Sequence, residues 1–168
     1  MEKFAFLFSG QGTQFTQMGK SFYDNYAISR QTYEEAGDVL QQDIAKLCFE
    51  GSISELSRFT NMQSAIITTE ISIFRAYMQD YGISPQFAVG HSIGEYAALV
   101  GTGALRFGDA LKILQKRGEL VERILQKGNS RMTVIENLDV NKVTEALSLL
   151  GLEKRSSFPA IIPEDRLQ

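Results

Sequence analysis

Two short apolar segments each run straight into a glycine loop, and each loop leads into a helix. "KFAFLF" (3–8) ends in "SGQGTQ", and "QFAV" (86–89) ends in "GHSIG" before "EYAALV". The second opens the motif that dominates the chain, "FAVGHSIGEYAALVGTGAL", Phe87 to Leu105. Strands that are apolar at every position do not alternate between core and solvent. They belong in a parallel sheet covered by helices, and their alternation with helical segments predicts an α/β fold with a parallel sheet. Ligands of such sheets sit at the carboxyl ends of the strands. The loops at Gly10–Gly12 and Gly90–Gly94 are therefore expected on one edge of one sheet.

The rest of the chain fits that scheme. Helices are expected at about 18–26 and 29–40, and Ser52 with Glu55 has the spacing of a capping box. A long apolar helix is expected over 63–81, stopped by Gly82 and kept from resuming by Pro85. Asp109 is expected to cap a helix over 110–126 that ends at Gly128. "RMTVIENL" (131–138) reads as a third strand and 139–151 as a helix closing on Gly151. The chain has 168 residues, a net charge of -3 and a single cysteine, Cys48. The charge argues against a nucleic-acid or membrane-surface partner. One cysteine forms no internal disulfide, which fits a reducing compartment. Phe4 to Phe8 is too short for a signal-peptide core or a membrane span, so a cytoplasmic protein is expected.

Two phosphate-binding readings fail on spacing. "GQGTQFTQMGKS" contains Gly-Lys-Ser, but Gln14 stands where a phosphate-cradling loop needs its first glycine. The dinucleotide pattern has Phe15 where its third glycine belongs. Lys20 reads as a solvated helix residue.

Ser92 admits two readings. Ser92 and Glu95 have the spacing of a capping box before an apolar helix. Equally, Gly90-His91-Ser92-Ile93-Gly94 is the Gly-x-Ser-x-Gly pattern of a nucleophile elbow, a sharp strand-to-helix turn that projects the serine hydroxyl. The elbow needs small residues two before and two after the serine, and Gly90 and Gly94 meet that need. A plain cap needs neither, and a glycine in the first helical turn costs about 1 kcal/mol against alanine. An elbow also supplies the backbone N–H of Ile93 to an oxyanion. The "SGQG" loop offers a second donor through the backbone of Gln11.

Arg117 interrupts an apolar stripe formed by Ala110, Leu114, Val121 and Ile124. A guanidinium in that slot needs an anion. That anion is either a structural carboxylate, with snorkelling as the other bland outcome, or the carboxylate of a substrate.

Taken together, "FLFSGQGTQ", "FTNMQSAII", "GHSIGEYAAL" and "KRGELVERI" resemble, in order and spacing, the malonyl-CoA:acyl carrier protein transacylases and the acyltransferase domains of polyketide synthases. The resemblance covers residues 1 to about 150. It implies an α/β-hydrolase-like large subdomain and the beginning of a ferredoxin-like small one, divided here as 1–128 and 129–168. It implies that Ser92 carries the acyl group as an ester, that the N–H groups of Gln11 and Ile93 bind the oxyanion, and that Arg117 holds a malonyl carboxylate. Gln63, His91, Gly90 and Gly94 belong to the matching motifs, with His91 not the general base. The implied reaction moves malonyl from malonyl-CoA, a coenzyme A thioester, to the phosphopantetheine thiol of acyl carrier protein in fatty-acid or polyketide synthesis. No metal and no bound cofactor is implied. The family's base is a histidine well downstream of the elbow, and this chain has one histidine, His91. The expectation is the first half of a family member that is weakly active alone, pairs with a second chain completing the fold, or serves as a non-catalytic binding module. An acyl hydrolase of the same family is the alternative enzyme.

Overall fold

A computed structural model describes residues 3–127, 135 and 138–152. The chain divides into two compact units, 1–130 and 131–168. In the first, β1 (Ala5–Phe8) and β2 (Phe87–Gly90) pair in parallel, with Ala5 opposite Phe87 and Phe8 opposite Gly90. A crossover of 78 residues, 9–86, separates them, the long connection that parallel pairing requires. The crossover is helical: α1 (Lys20–Asn25), α2 (Ala27–Leu40), α3 (Ile44–Glu50), α4 (Ile53–Leu56) and α5 (Phe59–Tyr81). After β2 come α6 (Gly94–Gly101) and α7 (Phe107–Gln126). The described part of the second unit is α8 (Val140–Leu149), whose first turn is capped by the Asp139 carboxylate accepting from the Asn141 N–H. No helix of the described residues is long and apolar enough to cross a membrane.

The centre of the first unit is α5, which packs against α2, α6 and α7. Its Ile66, Ile67 and Ile71 are buried with Tyr33 of α2 and Leu111 and Leu114 of α7. One stripe of α5 faces β1. Phe74 and Tyr77 meet the Phe6 ring edge-on at centroid distances of 5.5 and 4.9 Å. Such contacts add about 0.5–1.5 kcal/mol each beyond area burial. The opposite face of the sheet is open: Leu7 is 80% exposed and Phe87 and Val89 are more than half exposed. Coverage on both faces, expected from the all-apolar strands, is thus realised on one face among the described residues.

Several boundaries differ from expectation. The long helix starts at Phe59, four residues before Gln63, because Arg58 adopts extended backbone as its N-cap. Gly82 ends it in the left-handed region, as expected. α7 starts at Phe107 with Arg106 as N-cap, so Asp109 lies in the first turn and is not the cap. Phe107 is drawn into the core, with the Arg75 guanidinium 5.1 Å from its ring centroid. Asp109 is still well placed, since a carboxylate in a first turn complements the helix dipole. α3 is not foreseen in the sequence; the Asp43 carboxylate caps it by accepting from the Lys46 N–H. The capping box of α4 forms as read, with Ser52 and Glu55 bonding reciprocally. The buried stripe of α7 is Ala110, Leu111, Leu114 and Gly118, while Ile124 is 52% exposed. The expected strand at 131–138 and the helix stop at Gly128 lie outside the described residues, apart from Ile135 and Leu138.

α5 and α7 run antiparallel and pack tightly at Gly118, which faces the backbone of Thr60 and Phe59. A Cβ there would come within 2.8 Å of the Thr60 Cα. Helix propensity alone favours Gly118→Ala by about 1 kcal/mol, but overpacking against backbone costs about 1–3 kcal/mol. Gly118→Ala is therefore expected to destabilise the chain. An urea midpoint at or above that of the wild type would refute the close contact.

Candidate active site

The turn after β2 is strained where the chemistry is expected. Ser92 has φ +56°, a left-handed conformation that non-glycine residues seldom adopt. The chain turns there from strand to helix within three residues. The turn is held by the His91 N–H donating to the Phe8 carbonyl at 3.0 Å, and by the Gly94 and Glu95 N–H groups donating to the His91 and Ser92 carbonyls. Both flanking glycines are required sterically. A Cβ on Gly90 would overlap the Gly94 carbonyl and the Glu95 nitrogen, and one on Gly94 would overlap the carbonyls of Phe8 and Ser9. The capping-box reading of Ser92 is not realised. Ile93 is the N-cap residue of α6, no side chain caps that helix, and the Ser92 hydroxyl is exposed.

The loop after β1 lies against this turn. Gly10 is buried, and a Cβ on it would overlap the His91 carbonyl and approach the His91 Nδ1 to 2.8 Å. The two glycine loops thus share one sheet edge, as expected. The loop is internally bonded: the Thr13 hydroxyl and N–H both donate to the Gly10 carbonyl, at 2.8 and 3.3 Å, and the Gly12 N–H donates to Gln14 Oε1 at 2.9 Å. Gly12 has φ +102°, a conformation natural to glycine. Among the described residues the backbone N–H groups of Gln11 and Ile93 have no protein acceptor.

A residue that sequence reasoning missed lies behind this loop. Glu70 projects from α5, and its Oε1 accepts from the Ser9 N–H at 2.5 Å and from the Ser9 hydroxyl at 2.8 Å. The Ser9 hydroxyl also contacts the Thr13 hydroxyl at 3.0 Å. Glu70 Oε2 is buried with no hydrogen-bond partner. Burial pushes this carboxyl up to about 7, and the two bonds from Ser9 offset only part of that. Its one signal in the sequence is a carboxylate inside the apolar run "AIITTEISIF".

Arg117 and Gln63 occupy the facing stretches of α7 and α5. Gly118 lies on Thr60, and the Thr60 N–H and hydroxyl donate to Glu122 Oε1 at 3.1 and 3.0 Å. One Arg117 guanidinium nitrogen is buried without a partner, as are both polar atoms of the fully buried Gln63. Buried polar groups are ordinarily bonded, so these orphan atoms, with Thr68 Oγ1 and Glu70 Oε2 on the same two helices, stand out. No hydrogen bond joins the Arg117 and Ser92 side chains among the described residues. Nor do the described residues contain a group of three or more His, Cys, Asp and Glu arranged for a metal.

A parallel sheet whose strand runs through a strained serine into a helix, between two glycines pressed against backbone, has the backbone form of the sharp Gly-x-Ser-x-Gly turn found in one class of α/β proteins. Within that class the chain belongs to the acyl transferase domain family, whose model matches residues 5–149. A malonyl CoA-acyl carrier protein transacylase of Bacillus subtilis (strain 168) is 40% identical over 159 residues, covering 90% of this chain and 50% of the relative. An acyl-carrier-protein S-malonyltransferase structure from Burkholderia pseudomallei is 37% identical with a TM-score of 0.76, covering 88% of this chain and 49% of that one. A type II PKS malonyl-transacylase, solved in complex with its acyl-carrier protein, has a TM-score of 0.79 at 28% identity, over 91% and 49% of the two chains. The chain spans about half the length of the curated relatives it matches.

The raised Glu70 pKa makes stability depend on pH. An ordinary glutamate titrates near about 4.3, so the folded chain holds this proton more tightly than the unfolded one. The stabilising contribution is complete below about 4.3 and is lost as pH rises towards 7. Relative to Glu70→Gln, which does not titrate, the wild type is expected to lose stability between about pH 4 and pH 7. Urea unfolding of both proteins across that range measures it; a constant difference would count against a buried, proton-holding Glu70.

Proposed function

We propose that this chain carries the nucleophile, the oxyanion donors and the carboxylate clamp of a malonyl transferase acting between malonyl-CoA and acyl carrier protein. The observation that carries the reading is the pairing of a strained, exposed Ser92 with unbonded N–H groups at Gln11 and Ile93. Ser92 Oγ attacks the thioester carbonyl, and the developing oxyanion receives the two N–H groups. Each such donor is worth about 3 kcal/mol of barrier stabilisation. The C–S bond then breaks, coenzyme A leaves with the proton, and malonyl stays on Ser92 as an ester. The phosphopantetheine thiol of acyl carrier protein attacks that ester in the second half-reaction, regenerating the serine and giving ping-pong kinetics. No step calls for a metal or a redox group.

The choice of malonyl rests on Arg117 and Gln63. A carboxylate satisfies the orphan Arg117 nitrogen and the Gln63 amide N–H together, as charge-assisted bonds that repay burial. A hydrolase of neutral acyl chains has no use for that clamp. Removing the proton from Ser92 needs a base, and His91 is turned against the Gly10 loop. Turnover by this chain alone is therefore expected to fall about 10²–10⁴-fold short of an enzyme with a positioned base. A second reading, a module that works bound to another polypeptide, draws on the open sheet face at Leu7, Phe87 and Val89, since exposed apolar patches mark interaction surfaces.

Incubation with malonyl-CoA or acetyl-CoA, followed by intact mass measurement, tests the proposal. A malonyl adduct is expected that is absent in Ser92→Ala. In Arg117→Ala malonyl loading is expected to fall about 10–100-fold, the worth of a hydrogen bond to a charged group, with acetyl loading unchanged. Equal loss of both adducts would overturn the carboxylate role. The absence of any adduct, combined with tight binding of a carrier protein or second chain, would favour the module.

A further inference from the structure

We infer that Glu70 is a positioning residue that anchors the Ser9–Thr13 loop, and with it the Gln11 N–H, against the Ser92 turn. For the chemistry served, the inference rests on the acyl-transfer reading above; for the loop itself it rests on geometry alone. Ser9 is the joint between the two halves of the site. Its carbonyl lies on the Gly94 Cα, in the first turn of α6. Its N–H and hydroxyl both point the other way, onto one oxygen of Glu70. The same hydroxyl contacts Thr13, which closes the loop on the Gly10 carbonyl. Gly10 in turn lies on His91, next to Ser92. A single carboxyl oxygen therefore holds the first residue of a loop whose next two residues are Gly10 and Gln11.

The anchor is rigid for a reason visible in α5. Phe74, four residues after Glu70, packs on Phe6 and Phe8, and Tyr77 packs on Phe6. Residues four and seven apart share a helix face, so the aromatic contacts to β1 fix the stripe on which Glu70 stands. Gln63 lies seven residues before Glu70 on that same stripe, about 10 Å further along the helix. One helix face thus reaches β1, the loop, and the stretch of α5 that pairs with α7 near Arg117. An unsupported loop would leave the Gln11 N–H mobile, and a displacement of about 1 Å in a catalytic group costs on the order of 10²-fold.

The decisive experiment is backbone amide hydrogen exchange on the full chain, read alongside Ser92 malonylation. In the wild type the Ser9 amide is expected to exchange at least about 10-fold more slowly than the free Gln11 amide, as a bonded N–H does. A Ser9 amide that exchanges as fast as Gln11 overturns the inference without any variant. In Glu70→Leu, which keeps the bulk and removes the acceptor, Ser9 protection is expected to vanish. The malonylation rate at saturating malonyl-CoA is expected to fall at least about 10-fold, with half-saturation unchanged, as for a transition-state donor. Glu70→Gln retains an oxygen acceptor and is expected to rescue both. A folded Glu70→Leu with intact Ser9 protection, or a Glu70→Gln as impaired as Leu, sinks the inference. Failure of the wild type to form any adduct would sink the acyl-transfer reading instead, and leave the exchange result to decide the anchor.

Discussion

The site depends on a contact in which no side chain takes part. The Cα of Gly94 rests on the carbonyls of Phe8 and Ser9, and the Cα of Gly90 rests on the first turn of α6. These approaches leave no room for a Cβ on either residue. They force the chain through Ser92 in the left-handed region and hold the end of β1 against the start of α6. Strain of this kind costs about 1–3 kcal/mol and persists only where the surroundings over-determine it. Here the surroundings are the ladder bond from His91 to Phe8, the Gly10–His91 contact and the packing of Ile93 into the core.

α5 supplies the second organising element. It reaches the strand, the loop and the arginine helix through side chains. Its aromatic residues Phe74 and Tyr77 dock β1, Glu70 holds Ser9, and Gln63 lies at the end that pairs with α7. The close approach at Gly118 brings Arg117 within the α5–α7 interface and leaves one of its nitrogens buried without a partner. Arg117 as a whole is half-buried, so only that nitrogen is withdrawn from water. In the acyl transfer proposed above, a substrate carboxylate would meet that nitrogen.

Much of this was legible in the residues. The parallel pairing followed from two all-apolar strands that each ran into glycines. The elbow followed from Gly90 and Gly94, because a helix cap has no use for either. The helix stop at Gly82 and the box at Ser52 and Glu55 appeared as read, since caps are local chemistry. What escaped was set by partners distant in sequence. The start of α7 moved to Phe107 because that ring had a core to enter beneath Arg75. The stripe ending in Ile124 turned outward because α7 outruns the surface of α5 that covers it. Glu70 went unread: it is an isolated carboxylate in an apolar helix, with nothing nearby in the chain to say that Ser9, sixty-one residues before it, would be its partner.

The sequence by itself determined the class of fold, the strained turn and the identity of its serine. Those rest on steric rules that act over a few residues: which residue tolerates positive φ, which lacks a Cβ, which can cap a helix. Only the tertiary structure decided which polar groups are buried together and which of them lack a partner. Whether Arg117 is paired, whether Glu70 holds a proton and whether the Gln11 N–H is free depend on what lies across the interface. That is settled by the packing of α5 against β1 and α7, because desolvation is a property of the assembled surroundings and not of the residue.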